Sequence, residues 1–184
     1  MEVLLRCALP DRPGALAALT GAIGDAGGDI HSVDVVEHEP GRALDDLVVV
    51  LADRARLADV LAGVRALDGF EVIHVGPSRG HPGDAVVRLA LGLEAALTGT
   101  QTVEEAATTL VGGLLHASAA EVVAADAAPR ETDTRLVVPF GDRCLVVRRD
   151  YRFTATERWR AQAILRACAA APAQLDRSPT SRSG

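Results

Sequence analysis

The order in which residues 1–77 switch between two hydrophobic periods leaves few folds open to them. Val3, Leu5, Cys7 and Leu9 alternate with Leu4, Arg6 and Ala8 as far as Pro10, which predicts a strand. From Pro13 the period lengthens, and Leu16, Leu19, Ile23 and Ala26 fall on one helical stripe that Gly27-Gly28 ends. Ile30, Val33, Val35 and Val36 predict a second strand, Pro40-Gly41 a turn, and residues 47–51 the centre of a third strand. Leu57, Val60, Leu61, Val64 and Leu67 repeat the helical stripe up to Gly69, and residues 70–75 predict a fourth strand. The order is βαββαβ, the split βαβ of ferredoxin-like α+β sandwiches.

Both helices of that topology cover one face of a four-stranded sheet. The unbroken apolar run Leu47-Val48-Val49-Val50-Leu51 reads as a strand covered on both faces, so a second layer is expected from another subunit or from the rest of the chain.

Beyond this unit, Gly76-Pro77-Ser78-Arg79-Gly80-His81-Pro82-Gly83 continues neither a helix nor a central strand. A domain boundary is placed there, with residues 79–84 as linker. Residues 84–97 and 103–114 then read as helices, the second opened by the capping box Thr102-Val103-Glu104-Glu105. Residues 121–125, 135–140 and 144–148 read as strands, with Gly141-Asp142 as a hairpin turn. A second capping box, Thr154-Ala155-Thr156-Glu157, opens a closing helix through Trp159, Ala163, Leu165 and Ala170. Residues 172–184, rich in Pro, Ser and Arg, read as a disordered tail.

Composition excludes much chemistry. The chain has no lysine, so its 19 basic residues are all arginine, and Schiff-base, pyridoxal, P-loop and kinase mechanisms have no amine to work with. No G-x-S-x-G is present, and none of the three cysteines has a clear histidine partner, so an enzyme is not expected. Cys7, Cys144 and Cys168 are odd in number and form no C-x-x-C pair, which predicts buried thiols rather than disulfides or zinc ligands. His31 and His38 lack the further ligands a metal needs, so no metal or other cofactor is expected. Residues 1–80 carry 7 Arg against 13 acids, the wrong sign for phosphate contacts. No apolar run reaches the roughly 18 residues of a membrane span, and the first residues lack a basic leader segment, so a cytoplasmic protein binding neither nucleic acid nor membrane is expected.

Two stretches carry a family resemblance. Leu9-Pro10-Asp11-Arg12-Pro13-Gly14-Ala15-Leu16-Ala17-Ala18-Leu19-Thr20, followed by Ile23 and by Ala26-Gly27-Gly28-Asp29-Ile30-His31-Ser32-Val33, resembles an ACT domain, the small amino-acid-sensing module of metabolic regulation, over residues 1–78. The resemblance implies a homodimer with a small-ligand site between the first turn and the start of strand two of a neighbouring subunit. It assigns the ligand to Asp11, Arg12, Pro13, Gly14, Ala15 and Leu16 on one side and to Asp29, Ile30 and His31 on the other. Physically, free N–H groups at the start of helix one suit a carboxylate, Gly14 lets the backbone come close, and Asp11 and Asp29 can accept bonds from an ammonium. The family often has Asn at the position of Asp29; ionised Asp only accepts hydrogen bonds, whereas Asn also donates. A plainer reading stands beside this one: Gly14 serves turn geometry, Asp11 caps helix one, and Asp29 closes the Gly-Gly turn.

Residues 85–171 resemble a shortened GAF domain through Leu136-Val137-Val138-Pro139-Phe140, Leu145-Val146-Val147 and Phe153-Thr154-Ala155-Thr156-Glu157. Few residues remain between Ala125 and Arg135 to wall a pocket, so dimerisation or packing is expected of this half rather than ligand binding. Arg148, Arg149, Arg152, Arg158, Arg160 and Arg166 beside Trp159 read as a solvated face or a docking patch for an acidic partner. The function expected is a non-catalytic regulatory protein that binds an amino acid at an ACT dimer interface and signals to a partner such as a metabolic enzyme. The alternative is a non-sensing dimerisation scaffold or regulatory subunit.

Overall fold

The computed structural model describes residues 1–78 and 85–170. The expected linker, 79–84, the tail, 172–184, and residue 171 lie outside them. Two compact units are present, Met1–Pro82 and Gly83–Gly184, each built around its own antiparallel sheet, so the fold is α+β.

The first unit runs β1 (Glu2–Pro10), α1 (Ala15–Asp25), β2 (Asp29–Glu39), β3 (Arg42–Val50), α2 (Arg54–Arg65) and β4 (Glu71–Pro77), with strand order β2-β3-β1-β4. The βαββαβ expectation thus gives one four-stranded sheet with β2 and β4 as its edges. Val3, Leu5, Cys7 and Leu9 of β1 pair with Val49, Leu47, Asp45 and Ala43 of β3 on the face that α1 and α2 cover. The apolar members of these rungs form the core with Ala15, Leu19, Ile23, Val60 and Val64. Gly27 takes the left-handed conformation, φ +81°, that ends α1, as expected. Gly28 has a different role: a Cβ there would stand 2.7 Å from Ile23 Cγ2 and 3.0 Å from Val49 Cγ1, so only glycine lets the chain pass.

On the opposite face Leu4, Arg6 and Ala8 are also buried, together with Asp46 of β3. Arg6 Nε and Nη2 donate to Asp46 Oδ1 and Oδ2 at 2.7 and 2.6 Å, a bidentate pair that makes burial of both charges tolerable. Of the apolar run at residues 47–51, Leu47, Val49 and Leu51 are buried and Val48 and Val50 half-buried.

The second unit runs α3 (Ala85–Leu97), α4 (Val103–Leu114), β5 (Ala119–Ala124), a single 3-10 turn (Ala125–Ala127), β6 (Arg135–Phe140), β7 (Arg143–Arg148) and α5 (Ala155–Ala170), with strand order β5-β7-β6. Helices α4 and α5 pack on the sheet, and α3 packs on them. Both capping boxes form. Thr102 and Glu105 exchange bonds at the start of α4, which holds the Glu105 carboxyl below its ordinary range, and Thr154 and Glu157 do the same for α5.

The closing helix forms as expected and buries a mixed face. Its buried positions are Glu157, Ala161, Ile164, Leu165 and Cys168, while Trp159 stands on the outer face, 63% exposed. The reason is Arg149. Its guanidinium forms a buried pair with Glu157, at 2.7 and 2.6 Å, and donates to the carbonyls of Leu115, Tyr151 and Arg152. It also lies 4.0 Å from the ring centroids of both Tyr151 and Phe153. The expected arginine face is corrected at one position, since Arg149 is a core residue, whereas Arg148 and Arg158 are at the surface, paired with Glu121 and Glu131.

Candidate functional site

The turn between β1 and α1 is held by its own backbone. Arg12 N–H donates to Pro10 O at 2.9 Å, Ala15 N–H to Arg12 O at 3.1 Å, and Asp11 N–H to Gly41 O at 3.2 Å, which ties the turn to the β2–β3 hairpin. Gly14 sits at φ +86°, and no atom lies within 4 Å of where its Cβ would be. Backbone conformation alone therefore calls for glycine, and the space beside it is open. Gly14 is the N-cap residue of α1; no side chain caps the helix, and its first turn carries no acid. The partial positive charge of that end is left for an anion.

Asp11 does not cap α1. Its carboxylate lies 3.5 Å from His38 Nδ1, at the far end of β2, with both side chains exposed. Arg12, Pro13 and Leu16 are exposed around the same turn, and Ala15 is buried in the core.

The other expected residues lie elsewhere in the protomer. Asp29 pairs with Val50 at the end of β3, whereas Pro10, just before Asp11, pairs with Arg42 at its start. Eight residue steps of strand separate the two places by about 26 Å. Near Asp29, His31 Nε2 is 3.6 Å from Asp29 Oδ2, and His31 Nδ1 is 3.9 Å from Glu2 Oε2. Ile30 turns inward onto the core. One chain therefore brings Asp11 to Leu16 together, and separately Asp29 to His31, but not the two sets.

Sequence reasoning missed Asp45. It faces the helices from β3, across from Cys7 and one same-face rung from Leu9–Ala43, the last helix-facing rung before the turn. Asp45 is 2% exposed, and its Oδ1 is buried with no hydrogen-bond donor. Burial raises its carboxyl above the ordinary range; the charge of His38 opposes the rise, and Asp46 and Asp34 add to it. Cys7 is pushed up to about 12 by burial, then by Asp45 and Asp46, so it stays a thiol. A signal was available in Asp45-Asp46, since adjacent strand residues point to opposite faces and one of the two had to meet the helices.

Among the described residues no group of three or more His, Cys, Asp or Glu side chains is placed to hold a metal ion. No helix there is long and apolar enough to cross a membrane.

Residues 3–69 match the family model of the ACT domain. No curated protein matches the chain. Among solved structures it is similar to the ligand-free regulatory subunit of aspartate kinase from Thermus thermophilus, with 16% identity and TM-score 0.40 over 92% of this chain and 91% of that one. It is similar also to a formyltetrahydrofolate deformylase from Pseudomonas putida KT2440, with 12% identity and TM-score 0.34 over 54% of this chain and 39% of that one. A third similar structure is an unknown protein from Galdieria sulphuraria, with 13% identity and TM-score 0.36 over 95% of this chain and 93% of that one.

Proposed function

We propose, from the ACT domain at residues 3–69, that the protein is a non-catalytic cytoplasmic regulator that binds a free amino acid between two copies of itself and signals to a metabolic enzyme. The observation that carries this reading is the uncapped N-terminus of α1 at left-handed Gly14, with Asp11 held beside it. It offers an anion site and an acceptor for an ammonium within one turn, the two demands of a zwitterion.

The second copy follows from the separation of the two residue sets. Strand β2 is an edge strand, and Val33 and Val35 on its helix-facing side are 40% and 43% exposed. Antiparallel pairing of β2 with its own copy sets the Asp29 end of one strand beside the Asp11 end of the other, an isologous contact with two equivalent sites. Each site then takes Asp11, Arg12, Pro13, Gly14, Ala15 and Leu16 from one copy and Asp29, Ile30 and His31 from its neighbour.

Residues 85–171 are read as a shortened GAF-like module that packs or dimerises; its motif residues fall on β6, on β7 and at the start of α5.

A thermal melt against each of the twenty amino acids at millimolar concentration tests the reading. A ligand at 100 times its Kd adds about 2.7 kcal/mol, a shift of several degrees. A selective shift that Asp29→Ala abolishes is the expected result. A flat panel from a folded protein leaves the dimerisation scaffold in its place.

A further inference from the structure

Asp45 is a costly residue for the place it occupies in the fold. Its helix-facing neighbours on β3, Ala43 and Leu47, are core residues, and a carboxylate between them meets an apolar layer with no donor at Oδ1. Burying an unpaired charge costs far more than burying a side chain of the same size that carries none. Asp46, one residue on, shows the contrast: its two oxygens are both taken up by Arg6. Asp45 instead lies on the second helix-facing rung from the β1–α1 turn, in the layer that holds Ala15 at the start of α1. Its register partner on β2 is Val35, which is 43% exposed, and Val36 beside it is the extra residue of a bulge. Bulges in edge strands re-aim side chains next to binding sites.

We propose that Asp45 is the ammonium anchor of the α1 site: the ligand enters between the first turn of α1 and the helix-facing side of β2, setting its ammonium on the Asp45 carboxylate and its own carboxylate on the helix N-terminus. This rests on the amino-acid reading above and names a residue that reading does not contain. The ligand class narrows to compounds with a free, charged amine. His38, which pairs with Ala43 on the rung between Asp45 and the turn, lies 3.5 Å from Asp11 and leaves the Asp45 Oδ1 without a donor. Burial raises the Asp45 carboxyl first, with the charge of His38 only opposing the rise, which agrees with the absence of a hydrogen-bond donor at Oδ1.

The test is the thermal melt of the full chain, wild type against Asp45→Asn and Asp45→Ser, with the amino acid that shifts the wild type most and with its N-acetyl derivative. Expected are unliganded variants that melt at or above the wild-type temperature, at least a tenfold loss of affinity for the amino acid in both, and no wild-type shift with the N-acetyl compound. Variants that keep the wild-type shift, or an N-acetyl compound that binds as well as the amino acid, overturn the assignment of Asp45 and leave amino-acid binding standing. A several-degree fall in the unliganded melting temperature of both variants overturns it as well, because Asp45 is then a structural residue. A panel in which no amino acid shifts the wild type overturns both readings together.

Discussion

Removing one partner of the Arg149–Glu157 pair strands a buried charge. Both side chains are almost fully enclosed, and the guanidinium is saturated by Glu157 and three carbonyls. Arg149→Met or Glu157→Gln should each cost about 3–5 kcal/mol in urea unfolding, and the double variant Arg149→Met/Glu157→Leu should recover part of the loss. At Asp45 the sign is reversed. The folded protein holds its proton more tightly than the unfolded chain, so at low pH both states are protonated and the residue costs nothing. As pH rises through the folded-state value, the proton leaves a buried site opposite Cys7 of β1, in the field of His38 of β2 and, from the other face of the sheet, of Asp34 and Asp46, and the folded state loses ground. Asp45→Asn should therefore match the wild type in acid and exceed it increasingly towards neutral pH, measured as urea midpoints across that range. The thiols give a further check: all three cysteines are buried and Cys7 is shifted to about 12, so a thiol reagent should leave the native protein untouched and titrate three groups after unfolding. Residues of this kind are hard to read from sequence. Arg149 looks like one member of a basic run until the fold places Glu157 against it, whereas Gly14 announces its left-handed turn through its Pro-Gly context alone.

At the scale of elements, periodicity carried most of the first unit. Six segments were legible in order because every switch of period but one coincided with a Pro or Gly, the exception being the Leu51-Ala52-Asp53 link from β3 to α2, and the misreadings came where partners override local preference. Strand β3 starts at Arg42, well before the apolar run that marks its centre, since Ala43, Leu44, Asp45 and Asp46 are held in strand form by β1 on one side and β2 on the other. The buried face of α5 is not legible as an apolar period because it includes Glu157, a buried carboxylate. Close approaches between elements were equally invisible. A Cβ on Gly92 of α3 would stand 2.4 Å from Leu110 Cδ2 and 2.7 Å from its Cγ, so α3 meets α4 at a position that only glycine fits. Gly92→Ala should lower the stability of the second unit by about 1–3 kcal/mol, read as a lower urea midpoint with an unchanged slope.

At the scale of the whole molecule, the two cores share no residue, and the proposed site belongs to the first unit alone. That site needs two chains, and the requirement is testable. Asp11→Asn and Asp29→Ala protomers should each lose the ligand-induced thermal shift as homodimers. Mixed after partial unfolding and refolding, they should regain binding at one site in each heterodimer, because the other site collects both substitutions. A mixture that stays silent would place both aspartates in the same site of one chain, against the separation along β3. The same separation has a consequence for sensitivity. With Asp29, Ile30 and His31 at the opposite end of the strand from the α1 turn, one chain offers only part of the proposed receptor, so occupancy depends on how much protein is present as well as how much ligand. Linkage then runs both ways: the amino acid tightens self-association by the factor that self-association tightens the amino acid, and dilution below the dimer Kd makes the protein blind to its signal.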